Sequence, residues 1–413
     1  MGLKDRAVSM TRAQRSQEIS DRILETSLLL VADDGVDALS MQRIATAAHL
    51  SNGPLYGRYD TPEDIVLDLW DTVLRNHLSA ILADLLVWIP DTAAPPPARL
   101  HAELARPSIA SKALIEVLAV IRRYPFAGET IRTELTADLE AFSAAQPGVA
   151  RSLVAGQVSV ILGTLLLAPL FDAEQERLGA QMLRLLGDCL AEPAAHTTEP
   201  RAVPSVVGDF PAPRTGDRVV DAFVAAVILV VAQTGFDRAT THRIARVAKH
   251  SYSSSYPHFA SKEELMSFAM AATIDEIFAF GILGLMNLPE DERLDLCVGM
   301  ARGICDDNQR LWRQLRVETL VAGRHHDDVA QALREHFARY RGHAVDILAP
   351  EILGTNPTVE GRLMDGWHLV RTESFGLSLL ASCTSFTHDL EWTPAVVALF
   401  GHVERMAKDM VGA

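Results

Sequence analysis

Two short stretches at matching positions are rich in side chains that form hydrogen bonds. Asn52, Gly53, Pro54, Tyr56 and Arg58 follow Ser51, and Tyr252, Ser253, Ser254, Tyr256 and His258 follow Ser251. Amides, hydroxyls, phenols and guanidinium groups bond to phosphate oxygens and base edges; phosphate contacts fix register and base contacts read sequence. Arg43 and Arg243 stand just upstream of the stretches, and Lys262 just downstream of the second. This is binding chemistry. The chain has no G-x-S-x-G, no phosphate loop, no H-E-x-x-H and no paired-carboxylate signature, so catalysis is not expected.

Other reactive types are scattered. His325-His326-Asp327-Asp328 has the composition of a metal site. Adjacent side chains point in different directions on a helix, so a helix start with favourable acids explains the run better. The four cysteines, Cys189, Cys297, Cys305 and Cys383, form no C-x-x-C pair, and neither metal nor cofactor is expected. His101 with Glu103, or Glu318 with Arg324, could line a pocket, although core or surface roles fit them as well.

The elements that must carry these residues are helical. Apolar residues recur at helical spacing, as in Ile65, Leu69, Val73, Leu78, Leu82 and Leu85, and prolines fall between such runs. The fold class is therefore all-α. A first helix covering Ile23 to Ala32 ends near Gly35, a residue free to take positive φ. Ser40 suits the N-cap of a helix from Met41 to Ala48, and Ser51 that of a third helix bearing Tyr56. Thr61-Pro62-Glu63-Asp64 opens a fourth with a capping box and proline in its first turn. Short helix, tight turn, short helix is the helix-turn-helix plan, whose second helix enters the major groove.

The plan occurs twice. Residues 21–65 and 221–265 align without a gap at an offset of 200, with Gly35, Asp37, Arg43, Ile44, Ala45, Ser51, Tyr56 and Glu63 all repeated. Residues 192–213 carry five prolines and read as a linker between halves of similar length. The expected domains are 15–66 and 214–266 for the helix-turn-helix units, and 67–191 and 267–413 for the helical remainders.

Charge limits the partners. Over 413 residues the formal net charge is −15, which excludes a bulk-basic coat protein but not a local basic patch. Residues 236–262 carry a net +4 and residues 36–59 a net +1, so charge favours the second copy for DNA. The basic N-terminal residues Lys4, Arg6, Arg12 and Arg15 read as a solvated tail. With no signal-peptide core, and the apolar run around Leu162 to Leu170 too short for a bilayer, a cytoplasmic protein without a membrane partner is expected.

Both copies resemble the DNA-binding domain of TetR/AcrR-type transcriptional regulators. The resemblance rests on Gly35, the Ser40 cap, Ile44-Ala45, Ala47-Ala48, Ser51, Gly53, Leu55-Tyr56 and Tyr59. In the second copy it rests on Gly235, Ile244-Ala245, Ala248, Ser251, Tyr256, Phe259 and Ser-Lys-Glu-Glu-Leu. It covers about 90 residues directly. It implies that the third helix reads bases while its tyrosine and the start of helix four grip phosphate. Asn52, Gly53, Pro54, Tyr56 and Arg58 would then face DNA in one copy. Tyr252, Ser253, Ser254, Tyr256, His258 and Lys262 would do so in the other, and Arg43 and Arg243 are further candidates. Pro62 replaces the family's lysine in the first copy. His250 and Ser253 to Ser255 replace apolar and Gly-x-Leu positions, so the second recognition helix should be less well anchored.

The resemblance also implies a ligand-responsive repressor with a small, largely apolar effector. Segments 100–135 and 294–325 are the candidate pocket walls. Fusion of two copies suggests a single-chain pseudo-dimer that reads an asymmetric site. Its pairing surface would be a four-helix bundle from about 149–168, 174–191, 359–383 and 394–411, with Gly156, Gly163, Leu166, Gly376 and Leu379 at close packing. The alternatives are a homodimer using only the first helix-turn-helix, and a helical sensor that binds no DNA.

Overall fold

The computed structural model describes residues 12–191, 215–278, 290–348 and 357–411. All regular structure among them is helical, so the all-α expectation holds. The linker assigned to 192–213, like Lys4 and Arg6, lies outside the described residues.

In the first half, α1 (Arg12–Asp34) leads into a 3-10 turn, then α2 (Met41–Ala47) and α3 (Asn52–Tyr56). α4 (Pro62–Leu69) continues through a π-turn at Trp70–Leu74 into α5 (Arg75–Trp88). α6 (Ala98–Ala105), α7 (Ile109–Val120), α8 (Pro125–Ala144), α9 (Arg151–Leu167) and α10 (Gln175–Ala191) complete it. The second half repeats the order with α11 (Arg218–Thr234), α12 (Thr241–Ala248) and a 3-10 turn at Tyr252–Ser255. α13 (Lys262–Phe278), α14 (Glu290–Cys305), α15 (Arg310–His325), α16 (Asp327–Leu348), α17 (Pro357–Cys383) and α18 (Thr393–Val411) follow.

α1 starts at Arg12, so Arg12 and Arg15 are helical rather than part of a tail. The breaks drawn at 66 and 266 fall inside the helical runs Pro62–Trp88 and Lys262–Phe278, which tie each helix-turn-helix to its own body.

The halves meet in a four-helix bundle. α9 packs along α17 and α18, and α10 along α17 and α18, close to the bounds expected for the pairing helices. Gly163 and Gly376 make the crossing possible. A Cβ on Gly163 would stand 2.0 Å from the Thr372 carbonyl oxygen, and one on Gly376 would stand 1.8 Å from that of Ser159. Backbone therefore touches backbone where α9 crosses α17. α9 is buried on all sides from Val154 to Leu167, as expected of a helix apolar all round. Residues 151–171 are long and apolar enough to cross a membrane, contrary to the sequence expectation. In this fold 89% of their most apolar window is buried inside the protein.

Each half seats its first helix on its own body, α1 on α7 and α11 on α15. α7 and α15 also pack on each other.

Candidate nucleic-acid interface

The first helix-turn-helix is set by local chemistry. Ser40 accepts from the Arg43 backbone N–H and caps α2. Thr61 and Asp64 form a reciprocal capping box at α4. Gly35 adopts φ 81°, ψ 164°, and Gly235 φ 84°, ψ 164°, a region nearly confined to glycine. The turn before each recognition segment holds its own positive-φ residue, His49 at 52° and Lys249 at 57°. Ser51 precedes α3 without capping it through its side chain.

On α3, Leu55 points into the core while Asn52, Gly53 and Tyr56 are exposed and Pro54 is half-buried. Tyr56 leaves 54% of its surface open. Arg58 does not face outward. Its Nε donates to Ser20 Oγ at 3.0 Å, Nη1 to the Pro54 carbonyl at 2.8 Å and Nη2 to Ser16 Oγ at 2.7 Å. It clamps α3 to α1, a structural role that the sequence expectation of a DNA contact did not include. The neighbouring Tyr59 is buried and donates to Asp68 Oδ2, and burial together with that bond pushes its phenol up.

The second copy differs. Its recognition segment is a single 3-10 turn, Tyr252–Ser255, in place of an α-helix. Only the backbone of Tyr252 lies within the described residues. Ser253 and Ser254 sit 2.8 and 3.0 Å from Ser251 Oγ, so three hydroxyls satisfy one another. Tyr256 is 62% exposed. His258 is exposed, with Nε2 3.7 Å from Asp217. Lys262 opens α13, and its ammonium lies 5.7 Å over the Phe236 ring of the same unit. His250 stacks on Phe223 at 6.2 Å.

Arg43 and Arg243 share a position but not a role. Arg43 donates to Asp34 Oδ2 at 2.5 Å. Thr234 stands at the place of that acid in the second copy, and Arg243 is left with only the Arg238 carbonyl, at 3.3 Å. Arg246 and Lys249 are exposed beside it, and no carboxylate among the described residues pairs with the three. In the sequence Arg246 and Lys249 stand out only as part of the net +4 over residues 236–262. Their missing acids are what mark them out.

Beneath both units runs a buried charge network. Asp37, between α1 and α2, accepts from Arg123 at 2.5 Å, and Arg238 of the second unit lies 3.0 Å from its other oxygen. Arg123 and Arg122 both reach Glu318 on α15. Arg324 and His325 reach Glu116 on α7, at 2.5 and 3.0 Å. His326 meets Asp237 at 2.8 Å. Burial pushes the Glu318 carboxyl up, and Arg123 and Arg122 pull it back. Thus His325 and His326 serve different carboxylates, while Asp327 and Asp328 open α16. Glu318 and Arg324, weighed as pocket residues, belong to this network.

A cavity of about 540 Å³ lies elsewhere, between Pro169–Leu178 of the first half and α16 and α17 of the second. None of its lining comes from 100–135 or 294–325, the walls expected from sequence. Those segments include α7 and α15, whose faces are spent on packing against α1 and α11 and against each other.

No protein-family model matches the chain, and no curated protein matches it.

Proposed function

We propose that this chain is a double-stranded-DNA-binding transcriptional regulator of the TetR/AcrR type, acting as a single-chain pseudo-dimer. The observation that carries the reading is duplication in three dimensions. Two helix-turn-helix units put Tyr56 and Tyr256 at equivalent, exposed positions, and their bodies share one four-helix bundle. In a regulator built this way a ligand that prefers one seating of the halves shifts DNA affinity, and repression is the sign expected. Asn52, Gly53 and Tyr56 form the first reading surface; Ser253, Ser254 and Tyr256, with Arg243, form the second.

A second reading has its own support. The 3-10 turn at Tyr252–Ser255 presents a shorter recognition segment than α3. In that version only the first unit reads DNA and two chains pair.

A nuclease footprint on the DNA upstream of the chain's own gene tests both. Two dissimilar half-sites about one helical turn apart support the pseudo-dimer. A palindrome supports the second reading. Absence of protection there, together with no salt-dependent binding to any fragment, overturns DNA binding and leaves a helical sensor.

A further inference from the structure

We propose that the cleft between the halves binds a small organic anion, a carboxylate carried on an apolar or aromatic body, with Arg371 as its receptor. The cavity of about 540 Å³ has the size of a small-molecule site. Leu170, Phe171 and Leu178 wall it from the first half, and Phe337 and Trp367 from the second. The lining is mostly apolar, with Glu174, Arg334, His368 and Arg371 as its ionisable groups, which suits a ligand with an apolar body and a charged end.

Arg371 is the anomaly in that wall. It is 5% exposed. Its guanidinium packs against a pair of touching rings, 5.0 Å from the Phe171 centroid and 4.5 Å from the Phe337 centroid, with the two centroids 5.7 Å apart. Nη2 lies 2.8 Å from His368 Nδ1, and buried Nε has no partner. No carboxylate among the described residues pairs with it, and burial alone pushes the guanidinium down.

The other arginines buried with it are provided for. Arg123 has Asp37 and Glu318, Arg122 has Glu318, Arg324 has Glu116, and Arg316 has Glu373 for a neighbour. A buried cation without a counter-ion is costly to hold, whereas one whose counter-ion arrives from solution is a receptor. Nε is left without a partner and only Nη2 is engaged, by His368, so the fork still has N–H groups to offer, and a guanidinium matches a carboxylate with two parallel N–H donors. Arg334, exposed at the rim, adds a second positive charge, while Glu174 is paired to Arg177 at 2.7 Å.

The site occurs on one side only. At the separation that relates Gly163 to Gly376, Arg371 corresponds to Val158. At the matching end of the bundle Thr136 meets Thr384 at 2.7 Å and Arg151 lies over Phe386. One ligand per chain is therefore expected.

Binding stands on this geometry alone; its effect on DNA rests on the regulator reading. The test titrates the full chain with decanoate and biphenyl-4-carboxylate, and with decanol and 4-phenylbenzyl alcohol as neutral counterparts, by calorimetry and thermal melting. At least one acid binds once per chain, tenfold or more tighter than its alcohol. Arg371→Met weakens that binding at least tenfold and, with no ligand present, melts at or above the wild-type temperature. Leu178→Trp, which fills the cleft from the opposite wall and spares the guanidinium, also weakens it. Acids and alcohols binding alike, neither acid binding, or R371M melting well below wild type overturns the proposal. A footprint repeated with saturating acid reads the regulatory step separately, and its failure leaves the binding result intact.

Discussion

Glu116 and Glu318 hold the same place in the two halves, and each takes its cations from the other half. Glu116 on α7 receives Arg324 and His325 from the end of α15; Glu318 on α15 receives Arg122 and Arg123 from the end of α7. The exchange lies directly under Gly35 and Gly235. A Cβ on Gly35 would meet His325 Nε2 at 3.0 Å, and one on Gly235 would meet Arg123 Nη1 at 2.2 Å. Each helix-turn-helix therefore rests on charges supplied partly by its partner half.

Glu318→Gln leaves Arg122 and Arg123 buried with too few counter-charges. Both arginine side chains are at most 9% exposed. Breaking a buried pair in this way costs about 3–5 kcal/mol. Urea denaturation of the full chain measures it. A loss below about 1 kcal/mol would mean that the arginines find water instead.

Gly163→Ala drives a methyl group into the Thr372 carbonyl, and no side chain is available there to move aside. The expected destabilisation is at least the ~1–3 kcal/mol of overpacking. Gly53→Ala, with nothing within 4 Å of its new Cβ, should change stability by less than about 1 kcal/mol. Equal effects at the two positions would contradict the observed helix crossing.

His325 makes the junction sensitive to pH. Burial lowers its imidazolium and Arg324 opposes it, but Glu116, 3.0 Å away, outweighs both, and the net shift is upward. A raised folded value stabilises the fold when the ring is protonated. That contribution is complete below the unfolded value of about 6.5 and disappears as pH rises through the folded one. The stability gap between wild type and His325→Gln should therefore shrink as pH rises above about 6.5. A gap that widens with pH would overturn the pairing.

Two arginines test the proposed DNA binding against a structural role. Arg58→Ala removes the clamp on Ser16, Ser20 and Pro54, and should lower stability by about 1–2 kcal/mol while leaving the salt dependence of DNA affinity unchanged. Arg246→Ala should leave stability within about 0.5 kcal/mol and reduce the salt slope by about one. The reverse pattern would exchange their roles.

What the sequence revealed was local. Ser40, Thr61 and Gly35 act on atoms within a few residues, so cap and turn chemistry announces them. The pairing helices were legible because glycines interrupt otherwise apolar runs at Gly163 and Gly376. Arg58 was not, because Ser16 and Ser20 lie about 40 residues away and no spacing rule links them. The exchanged carboxylates join residues about 200 apart. Arg371 resembles any helical arginine in sequence, and its lack of an acid follows from which side chains the bundle brings near.

The glycine crossing also bears on how the chain is made. Gly163 leaves the ribosome about 200 residues before Gly376. At bacterial-to-eukaryotic elongation rates of ~5–20 residues per second, that is a delay of roughly 10–40 s. Throughout it, the α9 surface that α17 will cover has no cover from its own chain. A neighbouring nascent chain on the same message offers an identical first half at the same stage. Elongation rate and chaperone occupancy, rather than final stability, then set how many chains close on themselves and how many are caught by a neighbour.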